Sequence, residues 1–164
     1  MTASTEPIKE LRITRVFDAP REMVFEVWTK PEHQVHWMGP KSFTTPSCEI
    51  DFRVGGAYRT CIVDPEGTEY WMRGIYREIV VPEKLVFTFA WEEEGERGME
   101  NIVTLHFFED GGKASGKTRF EFLQTTFQSV AERDSHNGGW TQCFERLAAY
   151  LEMGKIAENA SEKI

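Results

Sequence analysis

The chain has 164 residues, 40% hydrophobic and 28% charged, with a formal net charge of −8 and an isoelectric point near 5.1. This balance fits one folded domain and excludes a disordered chain, while the acidic surplus argues against nucleic acid or an anionic membrane as partner. Aromatics are frequent at 13%, with twelve Phe and five Trp, and rigid rings of that bulk can leave concave space where they meet.

No segment approaches the roughly twenty apolar residues that span a bilayer, so membrane insertion is not expected. The opening residues, Met1 to Pro7, carry neither a basic start nor an apolar run, and no secretory signal is expected from them. Three cysteines, Cys48, Cys61 and Cys143, are odd in number and widely spaced. They read as reduced thiols packed as small hydrophobes in a cytoplasmic protein.

In chain order, residues 1–9 are expected to form a flexible tail and residues 10–153 a single domain. Glu10 to Phe17 alternates as a strand, with Leu11, Ile13, Arg15 and Phe17 on one face. Asp18-Ala19-Pro20 then starts a helix through Thr29, and Pro31-Glu32 a second short helix through Trp37, ended by Gly39-Pro40. Strands follow in series. Cys48, Ile50, Phe52 and Val54 share one face, and Gly55-Gly56 reads as a sharp bend before Tyr58 to Val63. The turn Asp64 to Gly67 leads into Thr68 to Val80, then come Leu85 to Trp91, Asn101 to Phe108 and Lys117 to Phe127. From about Ser129 the period becomes helical, with an expected interruption at His136-Asn137-Gly138-Gly139. Trp140, Cys143, Phe144, Leu147, Tyr150 and Leu151 then form one apolar stripe, Gly154 is the expected C-cap, and 154–164 the expected C-terminal tail.

Short strands joined by tight turns imply an antiparallel meander, and a long one-faced helix must bury its stripe against it. The expected fold is therefore α+β: a curved antiparallel sheet of six to seven strands wrapped around a long C-terminal helix. Two short helices follow the first strand, and an internal cavity lies between the layers.

Four stretches carry a resemblance: Val16 to Glu22, His36 to Pro40, Asp51 to Gly56, and Gly139-Trp140 with Arg146 to Leu151. In this order they resemble the START-like (SRPBCC) superfamily of the birch-pollen allergen and polyketide cyclases. The closer similarity, over about residues 10–153, is to the branch homologous to the C-terminal domain of the heat-shock-protein ATPase activator. The resemblance implies a helix-grip fold with a hydrophobic cavity, and it transfers no catalytic residue.

The chemical candidates are weak. His33 and His36 are three apart beside Glu32, but no third ligand is in pattern, and they read as polar helix surface; no metal or cofactor is expected. No cysteine has an adjacent base, no Gly-x-Ser-x-Gly elbow is present, and no catalytic residue is assigned. Gly55-Gly56 leads into a strand, not a helix, so no phosphate cradle is offered. Polar groups in register with apolar faces, Arg15, His106 and Gln124, must each find a partner if they point inward. Arg15 is expected to pair with a surface carboxylate.

The ligand-binding candidates are Trp140, Tyr58, Trp71, Phe89, Trp91, His106, Phe122, Gln124 and Phe144, with the mouth expected where Gly138-Gly139 would loosen the backbone beside Trp140. Three functions remain open. The first is binding of a small hydrophobic or aromatic molecule. The second is a polyketide cyclase- or dehydratase-like enzyme, which would need His106 or Glu121 to face inward as acid or base. The third is a co-chaperone-like domain for a heat-shock ATPase, although the additional N-terminal domain of the eukaryotic activators is not seen. An exposed edge strand or aromatic patch would also favour a homodimer.

Overall fold

The computed structural model describes residues 9–162; residues 1–8 of the expected N-terminal tail lie outside them. Strand β1 (Leu11–Phe17) is followed by helices α1 (Arg21–Val27) and α2 (Pro31–Gln34). Six strands come next: β2 (Thr44–Ile50), β3 (Ala57–Val63), β4 (Glu69–Val80), β5 (Lys84–Trp91), β6 (Asn101–Glu109) and β7 (Thr118–Thr125). The last element is helix α3 (Val130–Glu162). The strands form one antiparallel sheet in the order β1-β7-β6-β5-β4-β3-β2. The meander is as expected, and β1 adds to its far edge, with Leu11 opposite Gln124 and Phe17 opposite Thr118. This is the helix-grip architecture, a seven-stranded sheet around a long C-terminal helix with two short helices after the first strand.

Strand alternation sets the inner face. On β7 the buried side chains are Thr118, Phe120, Phe122 and Gln124, and on β6 they are Asn101, Val103, Leu105 and Phe107. Against them α3 lays Trp140, Cys143, Phe144, Leu147 and Leu151, all buried. Trp28, at the C-terminal end of α1, fills the centre: its ring centre lies 4.8 Å from that of Trp37, 5.9 Å from Phe120 and 6.2 Å from Trp140 and Phe144.

Three local expectations are corrected. Helix α3 runs unbroken through His136-Asn137-Gly138-Gly139, because its backbone bonding and the packing of Trp140 and His136 outweigh the roughly 1 kcal/mol propensity cost of each glycine. It also continues past Gly154 to Glu162, so Gly154 is no cap. Strand β2 ends at Ile50, because the Asp51 N–H bond to the Ala57 carbonyl (2.9 Å) closes a loop turned by Gly55 at φ +86. Val54, expected on one strand face with Ile50, is 60% exposed in that loop.

One glycine is needed for close approach. Gly74 sits opposite Tyr58 in the β3–β4 ladder, and the Tyr58 ring reaches across it so that its hydroxyl donates to the Thr88 carbonyl on β5 at 2.7 Å. A Cβ on Gly74 would lie 1.9 Å from that carbonyl oxygen and 2.5 Å from Tyr58 Cε1. Gly74→Ala is therefore expected to lower unfolding stability by about 1–3 kcal/mol. Gly138→Ala, whose Cβ meets nothing within 4 Å, is expected to raise it by about 0.5–1 kcal/mol. Urea midpoints of the two variants check both signs.

Candidate functional site

A cavity of about 320 Å³, open on one side, lies between α3, strands β3 to β5 and the α2–β2 connection. The connection contributes Met38, Gly39, Pro40 and Phe43, and the strands contribute Ile62, Tyr70, Met72, Phe89 and Trp91. Arg97, from a short 3-10 turn (Glu96–Gly98) after β5, and Ser135, His136, Gly139, Trp140 and Cys143 of α3 complete the wall. Room exists partly because Gly139 has no side chain: the nearest atom to a Cβ there would be Pro40 Cγ at 3.8 Å. The rim is held by Arg146, one of whose guanidinium nitrogens donates to the carbonyls of Met38, Gly39 and Pro40 at 2.9–3.1 Å. Lys41 adds an ion pair to Glu145 at 2.7 Å and a backbone N–H bond to Gln142.

The polar part of the wall is a connected network. Gln124 Nε2 donates to Asn101 Oδ1 at 2.9 Å, and its Oε1 accepts from Trp140 Nε1 at 3.0 Å and from His136 Nδ1 at 3.1 Å. With its proton on Nδ1, His136 leaves Nε2 to accept from the Trp91 indole N–H at 3.1 Å. Burial, and then the Arg97 cation, lower the His136 pKa from the usual 6.5 to about 4, which agrees with a neutral ring accepting Trp91. The Glu132 carboxylate, 3.1 Å from Nε2, pulls the other way, but Arg97 draws on its charge at 3.7 Å. Arg97 also pairs with Glu93 at 3.2 Å and lies over the Trp91 ring, 4.8 Å from its centre. The one cation of the wall is thus held between two carboxylates and a ring.

The sulfur groups at the wall are inert. Burial pushes the Cys143 thiol up to about 12, and its Sγ points to the Trp37 carbonyl at 3.5 Å and to Met38 Sδ at 4.0 Å. Cys48 and Cys61 are also free thiols raised by burial. His33 bonds the Tyr150 hydroxyl at 2.6 Å and His36 stacks on the same ring at 5.4 Å, further along α3. Among the described residues no group of three His, Cys, Asp or Glu is placed to hold a metal.

Of the sequence candidates, Phe89, Trp91 and Trp140 line the cavity together. The others do not. Trp71 faces outward beneath the Arg59 guanidinium at 3.9 Å, because Met72 and Tyr76 take the inner positions of β4 and leave Trp71, Arg73 and Ile75 outside. His106 also faces outward, stacked on Phe108 at 5.7 Å and paired across the sheet with Glu121, since Leu105 and Phe107 own the inner face. Phe122 and Phe144 pack on one another at 5.5 Å in the core, behind Trp140. Gln124 lies behind His136 and Trp140, bonded to three protein partners, and Tyr58 lines a separate inner void. Arg15 lies over Phe17 at 5.7 Å and no carboxylate among the described residues is within ion-pair distance. His136, Arg97, Tyr70 and Met72 were not foreseen. The spacing Glu132-His136-Trp140, steps of four on one helix face, held the signal for His136 once the helix was read as continuous.

The model of the family described as activator of Hsp90 ATPase homolog 1-like protein matches residues 18–152. The chain belongs to this family. The match takes in the Arg146 clamp, the cavity wall and the Gln124 network. Solved structures agree: a Chromobacterium violaceum protein is 27% identical with a TM-score of 0.79, covering 88% of this chain and 97% of its own. A Silicibacter pomeroyi protein named as AHSA1 is 24% identical with a TM-score of 0.76, covering 88% and 99%. A Nitrosomonas europaea protein is 22% identical with a TM-score of 0.74, covering 91% and 97%. Among curated proteins none matches the chain. No helix among the described residues is long and apolar enough to cross a membrane.

The neutral His136 has a thermodynamic consequence. Between about pH 6.5 and about pH 4 the unfolded chain takes up a proton at this ring that the folded chain refuses, so stability falls as pH falls through that window. The contribution reaches about 1.4 kcal/mol per pH unit, a few kcal/mol in total. Urea unfolding from pH 7 to 4.5 is expected to show this slope in the wild type and a shallower one in His136→Gln.

Proposed function

We propose that the protein binds a small, neutral, apolar or aromatic molecule in this cavity. The observation that carries the reading is the wall itself: Phe43, Ile62, Tyr70, Met72, Phe89 and Trp140 surround about 320 Å³, at the lower end of the range of small-molecule sites. Trp91, His136 and Arg97 beside them are already engaged with protein partners, so a charged ligand finds no free counter-ion there. A cyclase- or dehydratase-like activity loses support, since His106 and Glu121 face outward and both nitrogens of His136 are occupied. The chaperone reading rests on the family description alone and would act through the outer surface.

N-phenyl-1-naphthylamine, a neutral aromatic fluorophore, is expected to gain fluorescence on binding and to raise the melting temperature, by about 2.7 kcal/mol of stability at a hundred times its Kd. Gly139→Leu, which grows a side chain beside Pro40, is expected to weaken binding at least tenfold with unchanged or higher stability. A wild-type protein that neither brightens the probe nor gains stability from it would overturn the proposal.

A further inference from the structure

Behind the cavity lies an inner void of about 20 Å³. The two chambers share Met38, Met72, Phe89 and Trp140 as a common partition, and methionines are the side chains that re-pack most readily. Three polar groups of the inner wall are engaged with protein partners, and Tyr76 lines it as well. Gln34 Nε2 donates to the Trp28 carbonyl at 2.7 Å, Tyr58 to the Thr88 carbonyl at 2.7 Å, and Thr60 to the Cys48 thiol at 3.6 Å. The Trp28 indole is not so engaged. Trp28 is 97% buried by its 3% exposure and lines the void, yet its Nε1 has no hydrogen-bond partner. Among the described residues only one other buried side-chain nitrogen, Arg21 Nε, shares that state.

A buried N–H without an acceptor is costly, and native structures rarely leave one so. A space of this volume accommodates one oxygen-sized group, since a water needs on the order of 10–15 Å³ by the same measure. An acceptor oxygen is therefore the matching group. Resting on the reading of the cavity as a small-molecule site, we infer that the ligand carries a neutral oxygen acceptor, a ketone, ether or alcohol, at its leading end. That oxygen passes the Met38–Met72 partition and accepts the Trp28 indole N–H, while the apolar body fills the outer cavity. A carboxylate would lose its hydration with no counter-ion on the inner wall, and a hydrocarbon end would leave the indole N–H without an acceptor.

The test uses the full wild-type chain, 15N-labelled, and two probes of nearly equal shape, 4-phenylbutan-2-one and 3-methylbutylbenzene, in which a carbonyl oxygen replaces a methyl group. Both are expected to move the indole resonances of Trp91 and Trp140. Only the ketone is expected to shift the Trp28 indole proton downfield, and to bind about tenfold more tightly. Trp28→Phe, where it folds, should remove that preference while leaving the hydrocarbon's affinity within about twofold. If both probes move Trp91 and Trp140 but bind equally and leave Trp28 alike, the inference is overturned and the cavity reading stands. If neither probe moves any of the three indoles, the cavity reading fails and takes the inference with it.

Discussion

The carboxamide of Gln124 is the contact on which the rest of the site depends. Its oxygen accepts from both His136 and Trp140 of α3, and its nitrogen donates to Asn101 on the neighbouring strand. Apolar packing alone is tolerant of small slips between a helix and a sheet. A buried amide is not, because each partner it loses exposes a donor or acceptor to an apolar surrounding at about 1–3 kcal/mol. Gln124 thus sets the position of α3 along the sheet, and through His136 it sets the tautomer that receives Trp91. One inward polar residue on β7 fixes two of the aromatic walls of the cavity.

Further along the helix, Arg146 does the corresponding work for the rim. Three successive carbonyls, Met38 to Pro40, converge on one of its guanidinium nitrogens, so the α2–β2 connection is held at a set distance from α3. Between the two anchor points Gly139 leaves a gap that a larger residue would fill. The cavity is therefore not a packing failure between bulky rings. It is the space left when two polar anchors hold the layers and the residue between them has no side chain.

Much of this was legible in the sequence. Period-two runs gave six of the seven strands nearly in place, and the stripe from Trp140 to Leu151 located the gripping helix. The union of β1 with β7 was not legible, because a long-range pairing leaves no local signature. Which parity faces inward was also hidden in β4, where Tyr70, Trp71 and Met72 are all large and apolar; the neighbouring strands decide it, with Met72 opposite Thr60 and Tyr76 beside Phe87. The error with the widest effect was the break expected at Gly138-Gly139. Local propensity favours a break, and the tertiary contacts of His136 and Trp140 override it. Reading the helix as interrupted hid the Glu132-His136-Trp140 face, and with it the polar half of the site.

The charge arrangement around that polar half determines what can enter. Arg97 is the cation nearest the cavity, and on its own it would attract anions. It is instead shared between Glu93 and Glu132 and laid on the Trp91 ring, in a chain whose net charge is −8. The long-range field and the local wall therefore both disfavour anionic molecules, and the neutral state of His136 adds no positive charge at pH 7. A cation fares no better, because the two carboxylates that could receive it are already committed to Arg97. On the proposed reading, what remains attractive to the cavity is apolar surface, and selectivity would come from shape and from hydrogen bonding at the inner end rather than from charge.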